Sequence, residues 1–199
     1  MGTYYYAAAA LPMLNFSEKT PLTGDAFLSF CREQLTEKDY AVLEASRLDM
    51  QSGEGRVTPV HENQILRKWY TWEISLRNQV VRHRAAQLQK DAGEYSIESE
   101  EIIGMEDTVK HAVDGEDPLE KEKRLYEARW RYLEELGTNI FFTLESLIVY
   151  YLKLQLLEKL EQFDRERGEE KFSAIYTQIR ESADRDENSK IESNSGVNP

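Results

Sequence analysis

Cysteine is almost missing. The 199-residue chain carries Cys31 alone, which excludes an internal disulfide and a cysteine-built structural zinc and points to a reducing compartment. Beside Phe27 and Phe30, Cys31 itself is expected as a small buried residue on a helix. Histidine is also scarce: His61, His83 and His111 stand too far apart for two of them to share a metal at the usual helical spacing of three or four. His111 with Glu106 or Asp107 reads as a solvated charged face. Gly-rich phosphate loops, nucleophile elbows and Cys/His constellations are absent, and the adjacent carboxylates Glu134-Glu135 and Glu169-Glu170 point apart on a helix. No catalytic, cofactor-binding or metal residue is therefore expected.

Basic charge is in deficit too, with 25 Lys and Arg against 37 Asp and Glu, a net charge of −12. The summed field repels a nucleic-acid backbone, so nucleic acid is not the expected partner. The most apolar run, Ile140 to Leu157, is broken by Glu145, Lys153 and Gln155. A charge near a bilayer centre costs at least about 2.5 kcal/mol, so the run reads as a buried protein helix rather than a membrane span. No basic region precedes the apolar start before Pro12, so a secretory signal is not expected, and Tyr6 stands where myristoylation would need Ser or Thr. These absences predict a cytoplasmic protein that does not span a membrane.

What is present is helix. Apolar residues make up 40% and charged residues 31%, enough to build one core under a highly charged helical surface. Tyr4 to Leu11 leans to helix on its alanine run. Pro12 and Pro21 bracket a linker. Thr23 as cap and Asp25 in the first turn predict a helix over Ala26 to Leu35, and Thr36 with Asp39 forms a capping-box variant opening a helix to about Leu48. Gln51 to Pro59 reads as an exposed loop. From His61 to Gln89 a long helix places Ile65, Trp69, Trp72, Leu76, Val80 and His83 on one face.

Asp91 to Pro118 is acidic and glycine-bearing, a loop with at most a short helix around Glu106 to Val113. Asp117 and Pro118 start the next helix, with Leu119, Tyr126, Trp130 and Leu133 on one stripe and a stop near Gly137. Asn139 is expected to cap a helix that is apolar nearly all round from Ile140 to Tyr151, one-sided through Leu154, Leu157, Leu160 and Phe163, and closed by Gly168. A last helix over Glu169 to Ser182 precedes a Ser-, Asn- and acid-rich tail. The predicted fold is all-α, an antiparallel bundle of five to six helices, several of them long. It forms a single domain over 1–184, with a mobile acidic insertion at about 91–117 and a disordered tail over 185–199.

The most structured polar clusters combine tryptophan and arginine. One helix carries Arg67, Trp69, Trp72, Glu73, Arg77 and Asn78, continued by Arg82 and Arg84. A second carries Tyr126, Arg129, Trp130 and Arg131. Two readings stand open. The tryptophans are core and the arginines are solvated or paired with the acid-rich helix from Glu120 to Glu135, or the arginines form a partner-binding strip, Trp and Arg being enriched among interface anchors. Glu73 and Arg77, one turn apart, would contribute only about 0.2–0.5 kcal/mol as an exposed pair.

Four motifs together carry a resemblance: Tyr4-Tyr5-Tyr6 followed by Leu11-Pro12-Met13-Leu14-Asn15-Phe16; Trp69-x-x-Trp72-Glu73-x-x-Leu76-Arg77-Asn78; Pro118-Leu119-Glu120 with Arg129-Trp130; and Leu144-x-x-Leu147-Ile148-x-Tyr150-x-Leu152-Lys153-Leu154. From about Thr3 to Gly168 the chain resembles an uncharacterised bacterial family encoded beside V/A-type ATPase subunits, in the place of the central-stalk component called C in archaeal enzymes and d in eukaryotic ones. The resemblance implies an all-helical adaptor between the central shaft and the membrane rotor ring, with no catalysis of its own. An assembly or regulatory factor that binds one ATPase subunit transiently is the alternative. A ligand-binding protein or enzyme using a pocket near Trp72 and Trp130 is a third reading.

Overall fold

The computed structural model describes residues 2–48 and 63–163. The chain divides into two units, Met1–Leu160 and Glu161–Pro199, and the packing described here belongs to the first. Among the described residues there are seven α-helices and no strand: α1 Gly2–Ala10, α2 Gly24–Gln34, α3 Glu37–Ala45, α4 Gln64–Leu88, α5 Met105–Val113, α6 Pro118–Gly137 and α7 Leu144–Gln162. The expected loop at 51–59, the stop at Gly168, the helix over 169–182 and the tail lie outside the described residues.

The helix starts follow local chemistry. The Thr23 hydroxyl accepts from the Ala26 amide at 3.2 Å. The Thr36 hydroxyl accepts from the Asp39 amide at 3.2 Å and donates to the Asp39 carboxylate at 2.8 Å. Asp117 accepts from the Leu119 amide at 2.9 Å with Pro118 in the first turn. Each cap satisfies amides that the helix geometry leaves unpaired. The start of α4 is capped by Asn63, whose side-chain oxygen accepts from both Ile65 and Leu66 amides. At its far end Gln89, in the left-handed region at φ 53°, closes the helix by donating to the Ala85 and Ala86 carbonyls.

Cross-helix pairs fix the topology. Glu73 meets Arg129, and the Lys68 carbonyl accepts from the Tyr132 hydroxyl, so α4 and α6 run antiparallel. Glu134 meets Lys153, and a Cβ added at Gly137 would come within 3.2 Å of Val149, so α6 and α7 are antiparallel as well. The helix α2 runs against α7 in the same sense, its Gly24 amide donating to Glu158 at 2.7 Å and Phe27 stacking on Tyr151 at 5.3 Å. The core lies where α4, α6 and α7 converge, with Trp69, Leu76, Leu133, Leu152 and Leu156 fully buried. Each such side chain contributes about 1.5–3 kcal/mol of burial.

Three elements add detail to the sequence pattern. Asn139 does not cap α7: it lies at φ 63°, Phe142 follows at φ 56°, and the helix begins only at Leu144. Two left-handed residues within four positions break the helical path, and Thr143 takes the capping role through Ser146. The apolar residues Phe141 and Phe142 therefore stay exposed, and the buried part of α7 starts at Leu147. Second, the acidic segment from Asp91 holds the expected short helix as α5, and its Met105, Val109 and Ala112, at helical spacing, are buried. Third, Gln155 is not a defect in an apolar helix. Its amide donates to the Ser46 carbonyl at 2.8 Å and accepts from the Leu48 amide at 3.2 Å, closing the end of α3. No described helix is long and apolar enough to cross a membrane.

Candidate functional site

The helical face of α4 carries Trp69, Trp72, Glu73 and Leu76 inward because they recur at steps of three and four. Trp69 is fully buried and stacks 5.9 Å from Trp72, which in turn lies 4.5 Å from Tyr132 of α6 with the rings 7° from parallel. Glu73 shares this face and is 2% exposed. A carboxylate so placed requires compensating charge, and two arginines supply it. Arg77, one turn along α4, donates from Nε at 2.7 Å. Arg129, arriving from α6, donates from Nε at 2.9 Å and Nη2 at 3.0 Å to the two carboxylate oxygens. This paired fork is the strong form of a guanidinium–carboxylate contact. Burial opposes the Arg129 charge, but the Glu73 carboxylate raises its affinity for the proton above the ordinary arginine value. The Tyr126 ring lies 5.2 Å from the same guanidinium.

The sequence-derived candidates fall into different environments. Arg77 and Arg129 both pair with the buried Glu73 carboxylate, Arg129 from a largely buried position and Arg77 from the surface, so Glu73–Arg77 is not a fully exposed pair. Asn78 is buried and clamps the following segment: its amide donates to the Ile97 carbonyl at 2.6 Å and Ser99 at 2.9 Å, and accepts from the Ile97 amide at 2.9 Å. Trp130 is 5% exposed. Its indole N–H donates to Glu134 at 3.0 Å, and the Lys153 ammonium sits 4.4 Å over its ring. Burial pulls the Lys153 pKa below that of a free lysine, with Glu134 working against the shift. The remaining candidates are surface residues. Arg67 and Arg84 are exposed, Arg82 lies 3.8 Å from Glu101 with both side chains solvated, and Arg131 pairs one turn back with Glu127. Such solvated pairs contribute little.

The unexplained exposed groups lie elsewhere, at the junction of α1 with the α6–α7 turn. Tyr5 is 59% exposed, Phe141 69% and Phe142 46%. The Tyr5 and Phe142 rings meet at 4.7 Å. Phenylalanine at positive φ is rare, because its Cβ crowds the carbonyl; here that backbone turns the ring out of the helix path and onto α1. Beside it runs an open groove of about 480 Å³ bounded by Leu133, Ile140, Phe141, Val149, Tyr150 and Lys153. Its apolar walls suit a partner side chain. The sequence signal for this edge was Ile140-Phe141-Phe142, which periodicity assigned to the core.

Among the described residues no group of three or more His, Cys, Asp or Glu side chains is placed to hold a metal ion. A family model described as a protein of unknown function, DUF2764, matches residues 77–183, more than half of the chain. No curated protein and no solved structure matches it.

Proposed function

We propose a structural role without catalysis for this chain, which belongs to the DUF2764 family: a coupling adaptor of a bacterial V/A-type rotary ATPase, similar to the central-stalk component that archaeal enzymes call C and eukaryotic ones d. It would sit at the cytoplasmic side, between central shaft and membrane rotor ring, and reach the membrane only through those partners. The four sequence motifs, from Tyr4-Tyr5-Tyr6 to Leu152-Lys153-Leu154, support the ATPase connection. Its binding character rests on one observation, the exposed Tyr5–Phe142 pair, with Phe142 held in a left-handed backbone conformation. Exposed aromatics on a rigid scaffold give contact area at low entropic cost, and the antiparallel α4, α6 and α7 provide that scaffold. The acidic surface sets partner choice and register by charge complementarity.

The test is capture of the tagged chain from its own host. Shaft and ring subunits should co-purify in stoichiometric amount, and Phe142→Gly should reduce their yield at least about tenfold. That substitution removes roughly 1–2 kcal/mol of left-handed strain and about 0.5–1.5 kcal/mol of aromatic pairing, so its thermal midpoint should stay near the parent's. Capture that brings down no ATPase subunit refutes the proposal. An effect on assembly yield, with none of the chain in the mature enzyme, would select the assembly-factor reading instead.

A further inference from the structure

Beneath the Glu73 triad lies a cavity of about 40 Å³, walled by Trp69, Arg77, Tyr126, Arg129, Lys159 and Leu156, with Glu73 and Leu48 completing it. Two of its walls carry buried donors with no hydrogen-bond partner, the indole Nε1 of Trp69 and the Nη1 of Arg129. An unpaired buried donor costs about as much as a lost hydrogen bond and is rare in folded proteins, and an acceptor in the cavity that both residues line would supply the missing partner. The formal charge around the cavity points the same way. Arg77, Arg129 and Lys159 bring three positive charges, whereas Glu73 brings one negative charge, already engaged by both arginines. Glu122 also acts on Arg129 from two turns back on α6, without lining the cavity.

We propose that this cavity is a binding site for a compact trigonal anion of the carboxylate or nitrate class. A volume of 40 Å³ holds about three water-sized groups, close to the three non-hydrogen atoms of formate and the four of nitrate, and leaves no room for a nucleotide or sugar phosphate. Trp69 and Arg129 each donate one hydrogen bond to the guest, and Lys159 on α7 supplies the charge that Glu73 leaves unbalanced. Water would satisfy the donors alone, whereas an anion would also lie against the positive charge that exceeds Glu73. The site is independent of the Tyr5–Phe142 edge and of the adaptor role.

The experiment is thermal unfolding of the full-length protein in sodium formate, sodium nitrate, sodium phosphate and sodium gluconate at one fixed ionic strength. Formate and nitrate should raise the midpoint in proportion to the logarithm of their concentration above the dissociation constant. Gluconate and phosphate, too large for the cavity, should not. Lys159→Gln, at a half-exposed position, should weaken the formate response about tenfold, as expected for loss of one charged donor, and Lys159→Arg should restore it. Trp69→Phe, compared with its own anion-free baseline, should weaken it similarly. Equal midpoints in formate and gluconate would mean that salt acts only by screening, and would overturn the proposal. So would a phosphate response matching formate, or an undiminished formate response in Lys159→Gln.

Discussion

Replacing Glu73 by Gln keeps the shape of the side chain and deletes the one negative charge that two arginines share. Arg77 is 44% exposed and can return to water, so its half of the triad should contribute no more than about 1 kcal/mol. Arg129 is 14% exposed and cannot rehydrate without moving α6. Removing one partner of a buried pair costs about 3–5 kcal/mol, because the other charge stays buried and uncompensated. The Arg129 side of the triad thus puts Glu73→Gln near 3 kcal/mol, a fall in thermal midpoint of roughly 6–12 °C for a chain of this size.

Urea denaturation followed by far-ultraviolet circular dichroism measures it, with an unchanged m-value confirming that the same structure unfolds. The companion variant Glu73→Leu with Arg129→Met removes both charges and fills the space. It should lie within about 1 kcal/mol of the parent, since apolar replacement of a whole buried pair is commonly neutral or stabilising. A Glu73→Gln variant within about 1 kcal/mol of the parent would refute the assignment of a desolvated triad. A double variant as damaged as the sum of its singles would refute it too, because independent sites add and coupled ones do not.

Cys31 is fully buried, and desolvation raises its thiol to about 12. It should be inert to Ellman's reagent in the native protein and react at the rate of a free thiol once urea unfolds the chain; labelling of native protein within seconds would contradict its burial. Tyr4 is raised to about 12, first by its hydrogen bond to Asp39, and Tyr150 to about 12 by desolvation. These groups bind their protons more tightly when folded, so the stability they confer is complete below pH 10 and declines as pH rises towards 12. Absorbance at 295 nm during alkaline titration should place ionisation of these two tyrosines at the unfolding transition. Normal titration of every tyrosine in a still-folded protein would defeat the assignment.

Sequence alone determined the helices and most of their ends, because capping and amphipathic periodicity act within a few residues. Thr23, Thr36, Asp117 and Pro118 start their helices where their side chains can reach orphan amides, and the step of three and four through Ile65, Trp69, Trp72 and Leu76 marks the buried face of α4. Choosing between the two readings of the tryptophan and arginine clusters needed contacts between helices. Whether Arg129 faces solvent or Glu73 depends on how α6 is rotated against α4, a relation across 56 positions of chain that no local pattern encodes. The exposure of Phe141 and Phe142 likewise follows from the left-handed backbone at Asn139 and Phe142, where hydropathy read only an apolar run. Gln155 looked like an interruption until folding brought the end of α3 beside it. Spacing along a helix fixes which residues share a face. What that face meets is decided by packing among distant segments, and the buried charges, the cavity and the exposed aromatic edge all arise there.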